Sequence, residues 1–142
     1  MVIVAAVDRS ENTDRIVQQG QKLADAFSED LHVVHVLSRS ELRDIERTSF
    51  KKSGEAIGME QIKEEAKHIA RESASDIAPD ATTAGLVGEA AEEITDYAND
   101  RDAAYVVVGG RKLSPVGKAI FGSTTQSVLL AADCPVVATL RS

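Results

Sequence analysis

Short apolar runs alternate with longer amphipathic segments along this chain, and this alternation is the strongest constraint on its fold. The runs Val2–Val7 and Leu31–Leu37 are rich in β-branched residues, which is typical of strands buried on both faces of a sheet. Three further runs are predicted as strands, at residues 81–88, 103–109 and 134–140. Strands separated by helices predict a parallel sheet with helices on both faces.

Four helices are predicted between these strands. Their apolar residues recur at helical spacing over 10–27, 59–77, 89–99 and 118–131, and Pro79 ends the second helix. The predicted order is therefore β-α-β-α-β-α-β-α-β. Ser38–Gly58 does not fit this pattern, because it is polar, mixed in charge and weakly periodic. A connection of that length predicts a mobile lid or a partner surface.

Size and charge narrow the class of protein. The 142 residues predict a single domain, 1–142, with its own core. The net charge of −7 argues against a nucleic-acid partner, since phosphate neutralisation needs clustered positive charge. The lone Cys134 excludes a disulfide within the chain and fits a reducing compartment. No signal peptide or membrane span is recognisable, so we expect a cytoplasmic protein without a membrane partner.

Ligands of open α/β sheets bind beyond the carboxyl ends of the strands, where the strand order reverses. This rule places Asp8, Ser38, Gly88 and the segment 109–123 on one edge of the sheet. The turn after the first strand contains no glycine, so it is not a dinucleotide fingerprint. Gly117-Lys118 is followed by Ala119, so it is not a Walker loop. No catalytic triad or metal cluster is apparent in the sequence.

The fourth strand-to-helix connection is the strongest candidate for a binding site. Gly109 and Gly110 allow close approach of the backbone to a ligand, and a helix that restarts near Gly122-Ser123-Thr124 would direct its amides and hydroxyls at an anion. The segment also carries three cations, Arg111, Lys112 and Lys118. Residue chemistry alone leaves two interpretations open: a phosphate cradle, or a surface loop with solvated charges and a helix cap.

The same segment resembles the nucleotide motif of the universal stress protein family, G-x2-G-x9-G-[ST]. Gly109 is followed by Lys112 at the second glycine position and then, after nine residues, by Gly122-Ser123. The opening VAAVDRSE, the run LHVVHV and the ending TTQSVLLAADCPVVATL are similar to the corresponding parts of the family. The resemblance therefore covers essentially the whole chain.

The resemblance implies a flavodoxin-like, adenine nucleotide alpha hydrolase-like fold: a three-layer, doubly wound parallel sheet of five strands in the order 3-2-1-4-5. It also implies a homodimer paired through the last strand, Pro135–Leu140, and ATP, with or without Mg²⁺, as a ligand rather than a substrate. In family members that bind ATP, the position of Asp8 lies near the ribose and that of Val36 contacts adenine through its backbone. The residues matching the phosphate loop are Gly109, Gly122, Ser123 and Thr124, and Arg111 and Lys112 are further candidates for nucleotide binding through their charge.

Lys112 is the main departure from the family pattern. A lysine introduces a Cβ where the family has glycine, but its charge can also meet a phosphate. The leading hypothesis is an adenine-nucleotide-binding stress protein with little or no catalysis. The alternative is a dimeric interaction protein that binds no nucleotide, and a third hypothesis is an enzyme of adenylyl chemistry on a similar fold.

Overall fold

The computed structural model describes residues 1–8, 13–54, 58–111 and 122–141, without the side chains of residues 49, 53, 110, 111, 140 and 141. Within these ranges, five parallel strands form one sheet in the order β3-β2-β1-β4-β5, which confirms the predicted order. The strands are β1 (Val2–Ala6), β2 (Asp30–Leu37), β3 (Thr82–Val87), β4 (Tyr105–Arg111) and β5 (Val136–Arg141).

Helices cover both faces of the sheet because successive side chains of a buried strand point to opposite sides. Ile3 and Ala5 pack with the helices on one face, and Val4 packs with those on the other. The helices are α1 (Thr13–Phe27), α2 (Arg39–Ser53), α3 (Met59–Ala74), α4 (Ala90–Asp100) and α5 (Ser123–Ala131). In the described ranges, no helix has both the length and the apolarity needed to cross a membrane.

The second connection contains a helix that the sequence-based prediction missed. Residues 39–53 form α2, so the predicted order with four helices is wrong by one element. Ser38 and Glu41 form a reciprocal capping box at its start, and Leu42 and Ile45 pack against the neighbouring core. Two apolar contacts along 15 residues give too weak a stripe to reveal the helix by periodicity.

Two predicted helix starts depend on residues outside the described ranges. The first helix was predicted from residue 10, which is one of them, and α1 is described from Thr13 onwards. The last helix was predicted from Lys118, whereas α5 begins at Ser123 with Gly122 at its N-cap. This boundary agrees with a helix that restarts at the glycine.

His32 favours its neutral form at the amino edge of the sheet. Its Nδ1 lies 2.7 Å from Tyr97 Oη, and the Arg101 guanidinium lies 3.5 Å from the centre of the Tyr97 ring. Partial burial, followed by the positive charge of Arg101, lowers the pKa of His32 below its ordinary value of 6.5, and Asp30 opposes this shift. The neutral imidazole therefore contributes to stability.

Acidification is expected to lower the free energy of unfolding through His32. The unfolded chain takes up this proton at a higher pH than the folded chain, so the stabilisation is present above the unfolded pKa and is lost as the pH falls below it. Urea unfolding at about pH 8 and about pH 5 should show a smaller change for His32→Asn than for wild type. His68→Asn, at an exposed histidine, is the control. An equal loss of stability in wild type and His32→Asn would contradict the prediction.

Candidate functional site

The strand order reverses between β1 and β4, and a crevice at the carboxyl end of the sheet is expected there. Asp8 closely follows β1, Gly109 lies near the end of β4, and Val36 is the second-last residue of β2. These three strands are neighbours in the sheet. The structure therefore places three of the predicted site residues along the same edge.

Backbone hydrogen bonds fix Val7 and Asp8 at the end of β1, and the Asp8 side chain is exposed. The Asp8 carbonyl accepts a hydrogen bond from Thr13 Oγ1 at 2.8 Å. The Val7 amide donates to the Val34 carbonyl at 2.9 Å, which extends the pairing with β2 beyond the end of β1. These bonds hold the exposed carboxylate at the sheet edge.

The start of α5 is attached to the end of β4 by a residue that the sequence-based interpretation did not include. Thr125 Oγ1 donates to the Gly109 carbonyl at 2.5 Å, and Thr125 is only 6% exposed. In the sequence, Thr125 could have been noticed as the third hydroxyl residue of the run Gly-Ser-Thr-Thr, close to the start of a helix. Thr125 positions the helix start relative to Gly109.

No described residue blocks the first turn of α5 from an anion. Gly122, its N-cap, has extended φ and ψ of −62° and 160°, no described side chain caps the turn, and the turn contains no acidic residue. A Cβ added to Gly122 would meet no described atom within 4 Å. Ser123 is exposed and Thr124 is half-buried. Unpaired amides at a helix start attract negative charge, so this turn suits a phosphate.

The starts of α2 and α4 are less suitable because their own side chains already cap them. Ser38 Oγ accepts from the Glu41 amide at 3.2 Å in α2. In α4, the Glu89 carboxylate accepts from the amides of Ala91 at 3.3 Å and Glu92 at 2.8 Å. The first turn of α4 also contains two glutamates, which would repel a phosphate.

A groove of about 540 Å³ opens beside Asp8 between α1 and α3. Its lining carries the carboxylates of Asp8, Asp14, Glu65 and Glu72, together with His68. This concentration of negative charge is unfavourable for phosphate. A ligand with one phosphate end would therefore direct that end toward α5 and away from the groove.

Val36 and His35 both lie buried at the end of β2. Val36 is 8% exposed and its side chain packs in the core with α4, so the side chain is largely withdrawn from a ligand at the edge. His35 is 4% exposed, and its Nδ1 lies 2.8 Å from the Val7 carbonyl oxygen. His35 is therefore a packed, hydrogen-bonded histidine.

Of the three cations in this segment, only Arg111 lies among the described residues. The backbone of Arg111 ends β4 opposite Arg141 of β5. Lys112 and Lys118 lie outside the described residues, so their proposed contacts stay predictions. Among the described residues, no group of three or more His, Cys, Asp or Glu side chains is arranged to hold a metal ion.

Together, this sheet order and the helices on both sides define the class of adenine nucleotide alpha hydrolase-like α/β proteins. The chain belongs to the universal stress protein family, whose model matches residues 1–139. None of the curated proteins matches the chain significantly.

Several solved structures share the fold over nearly the full chain. A universal stress protein from Archaeoglobus fulgidus is 29% identical, with 97% of each chain covered and a TM-score of 0.63. A universal stress protein from Archaeoglobus fulgidus in complex with dAMP is 24% identical, with 97% of this chain and 96% of that chain covered and a TM-score of 0.58. A universal stress protein in complex with cAMP is 20% identical, with 100% and 98% covered and a TM-score of 0.63.

Proposed function

We propose that this is a cytoplasmic stress-response protein that binds ATP or a related adenine nucleotide as a regulatory ligand, with little or no catalysis. The observation that carries the proposal is the open first turn of α5 beside the switch point of the sheet. Family membership and the two relatives solved with dAMP and cAMP support an adenine nucleotide as the ligand class.

The geometry favours one orientation of the nucleotide. The phosphates would lie on Gly109 and on the α5 start at Gly122, Ser123 and Thr124, with Arg111 and Lys112 supplying positive charge. The ribose would lie near Asp8, and adenine would contact the Val36 backbone. The carboxylates of the neighbouring groove disfavour the reverse orientation.

Binding rather than turnover is favoured by the state of the histidine at this edge. His35 is 4% exposed and its Nδ1 faces the Val7 carbonyl, so a substrate cannot reach it as a base in this conformation. We infer that the nucleotide favours one conformation of the edge, which a partner protein then recognises.

Titration calorimetry with ATP, with and without Mg²⁺, tests this proposal. We expect micromolar binding, with dAMP and cAMP as further ligands and phosphate release no faster than background. Absence of both heat and a thermal shift at about millimolar ATP would overturn it. Nucleotide turnover well above background would instead support the enzyme hypothesis.

Lys112→Gly separates the proposal from the dimeric interaction protein that binds no nucleotide. If the lysine meets a phosphate, its removal should weaken ATP binding by about three- to tenfold, because it removes one charge-assisted contact. Calorimetry at two salt concentrations checks this, since a phosphate contact also contributes to the salt dependence. A gain of affinity would show that Lys112 blocks the site and would favour the alternative.

We also propose a homodimer paired through β5, over Pro135–Leu140. β5 is the outermost strand of the sheet, and pairing with a second copy would cover its exposed edge. Nearby in the chain, Leu129 and Leu130 of α5 are 41% and 89% exposed, which adds apolar surface that a partner can bury.

Leu130→Asp is expected to shift this dimer toward monomer without unfolding it, because the side chain makes little contact within its own chain. Light scattering should show at least about a tenfold weaker dimer. Phe50→Asp, at an apolar residue of α2 that is 61% exposed, is the control. Wild-type protein that is monomeric at working concentration would contradict the dimer.

A further inference from the structure

His35 presents a buried ring nitrogen that has no hydrogen-bond partner among the described residues. Its Nδ1 lies 2.8 Å from the Val7 carbonyl oxygen, and its Nε2 is the unpartnered atom. Because a carbonyl oxygen only accepts, Nδ1 must carry the hydrogen. In the neutral ring, Nε2 is therefore a hydrogen-bond acceptor.

The group facing this nitrogen is also an acceptor. Glu41 Oε2 lies 3.9 Å from His35 Nε2. The other carboxylate oxygen, Oε1, accepts from Ser38 Oγ at 3.2 Å and from the Ser38 amide at 3.5 Å, within the capping box of α2. An ionised carboxylate has no hydrogen to donate, so the two acceptors oppose each other. One added proton would let them form a hydrogen bond once they approach to about 3 Å.

We propose that His35 and Glu41 share one bound proton, and that this proton fastens α2 to the end of β2 and positions the adenine side of the nucleotide site. The proton adds to Nε2 or to the carboxylate and forms the hydrogen bond between them; no other reactant is needed. This inference rests on the proposed function, because it assigns a regulatory input to the same site.

The connections of His35 explain why it acts as a positioning residue. Its ring is hydrogen bonded to the carbonyl of Val7, the residue before Asp8, and Val36 is the next residue in the chain. Glu41 belongs to the first turn of α2, which directly follows β2. Fastening this turn orders the strand end on which adenine is proposed to lie, so less conformational freedom is lost when the nucleotide binds.

Among the described residues, Glu41 places a carboxylate oxygen 3.9 Å from His35 Nε2. The other ionisable groups on this side are Asp14 of α1 and Glu65, His68 and Glu72 of α3, which line the groove beside Asp8. In register, β3 places Gly85 opposite His35. The neighbouring core cluster receives apolar side chains from α3, namely Ile62, Ala66 and Ile69. On the β1 side the contact is the Val7 carbonyl, and Asp8 is the next residue with a charge. Of the charged groups that the structure describes, Glu41 is thus the one placed to share a proton with His35.

Two conservative variants separate the proton from the packing. Glu41→Gln keeps a residue that suits the capping box. Its amide N–H can donate to Nε2 of His35, so no added proton is needed. His35→Asn places an amide near the Nδ1 position, where it can donate to Val7, but removes Nε2. Glu46→Gln removes an exposed charge from the same helix and is the matched control.

Calorimetry with ATP at about pH 6 and about pH 8 gives the readout. In wild type and Glu46→Gln, the affinity for ATP should rise about three- to tenfold from about pH 8 to about pH 6. This rise is counted beyond any rise in the two pair variants. Glu41→Gln should lose this extra pH dependence while binding tightly, and His35→Asn should lose it while binding weakly. The titration of ATP itself is common to all four proteins. The same pH dependence in wild type and Glu41→Gln would overturn the proposal.

Measurements without nucleotide distinguish this failure from failure of the proposed function. Amide exchange in the first turn of α2, corrected for the intrinsic pH effect, should be slower at about pH 6 than at about pH 8 in wild type. The corrected rates should be equal at the two pH values in Glu41→Gln. Proton-dependent protection without ATP binding would overturn only the nucleotide proposal. ATP binding without that protection would overturn only the role of the His35–Glu41 pair.

Discussion

Replacement of Gly122 by leucine is expected to weaken adenine-nucleotide binding by about a hundredfold or more, which corresponds to about 3 kcal/mol. The new side chain would occupy the space in front of the α5 amides, where the phosphates are proposed to lie. A phosphate displaced from these amides loses both its hydrogen bonds and the favourable field of the helix start.

The fold should survive this change. The backbone of Gly122 has an ordinary extended conformation, and an added Cβ would meet no described atom within 4 Å. Gly58 is a matched control, since it is the N-cap of α3, has φ and ψ of −77° and 156°, and also faces open space. Calorimetry on Gly122→Leu and Gly58→Leu should show loss of ATP binding in the first alone. Retained affinity in Gly122→Leu would place the phosphates elsewhere.

Gly85→Ala is expected to cost about 3 kcal/mol of the free energy of unfolding. Gly85 lies within β3, where α3 crosses the sheet at very short range. An added Cβ would overlap the Lys63 carbonyl oxygen and the Lys67 amide nitrogen, and would lie 2.8 Å from Ala66 Cβ. Since two of these atoms belong to helix backbone, α3 as a whole would have to move away from the sheet.

Urea unfolding measures this cost. Gly58→Ala is the control, because its added methyl group contacts nothing, and it should cost no more than about 1 kcal/mol through the weaker N-cap. A difference of less than about 1 kcal/mol in the free energy of unfolding between Gly85→Ala and wild type would contradict the prediction. It would show that α3 can move away from the sheet without loss of stability. The sequence signalled Gly85 only as a glycine inside a weak strand.

The amount that could be predicted from the sequence differs between the elements. The β-branched runs identify β1, β2 and β4, since few other arrangements bury such segments. The motif from Gly109 to Gly122 identified the edge that carries the candidate site. α2 was missed because its stability comes from a capping box and two apolar contacts, which leave little periodic signal.

By itself, the sequence determined the class of fold and the family resemblance, because buried strands and a spaced glycine motif are properties of local composition. Only the tertiary structure decided which groups meet at the edge. Thr125 and Gly109 are separated by 16 residues, and His35 and Val7 by 28 residues, yet each pair is hydrogen bonded. Such contacts depend on how strands and helices pack, and no pattern within a single segment encodes them.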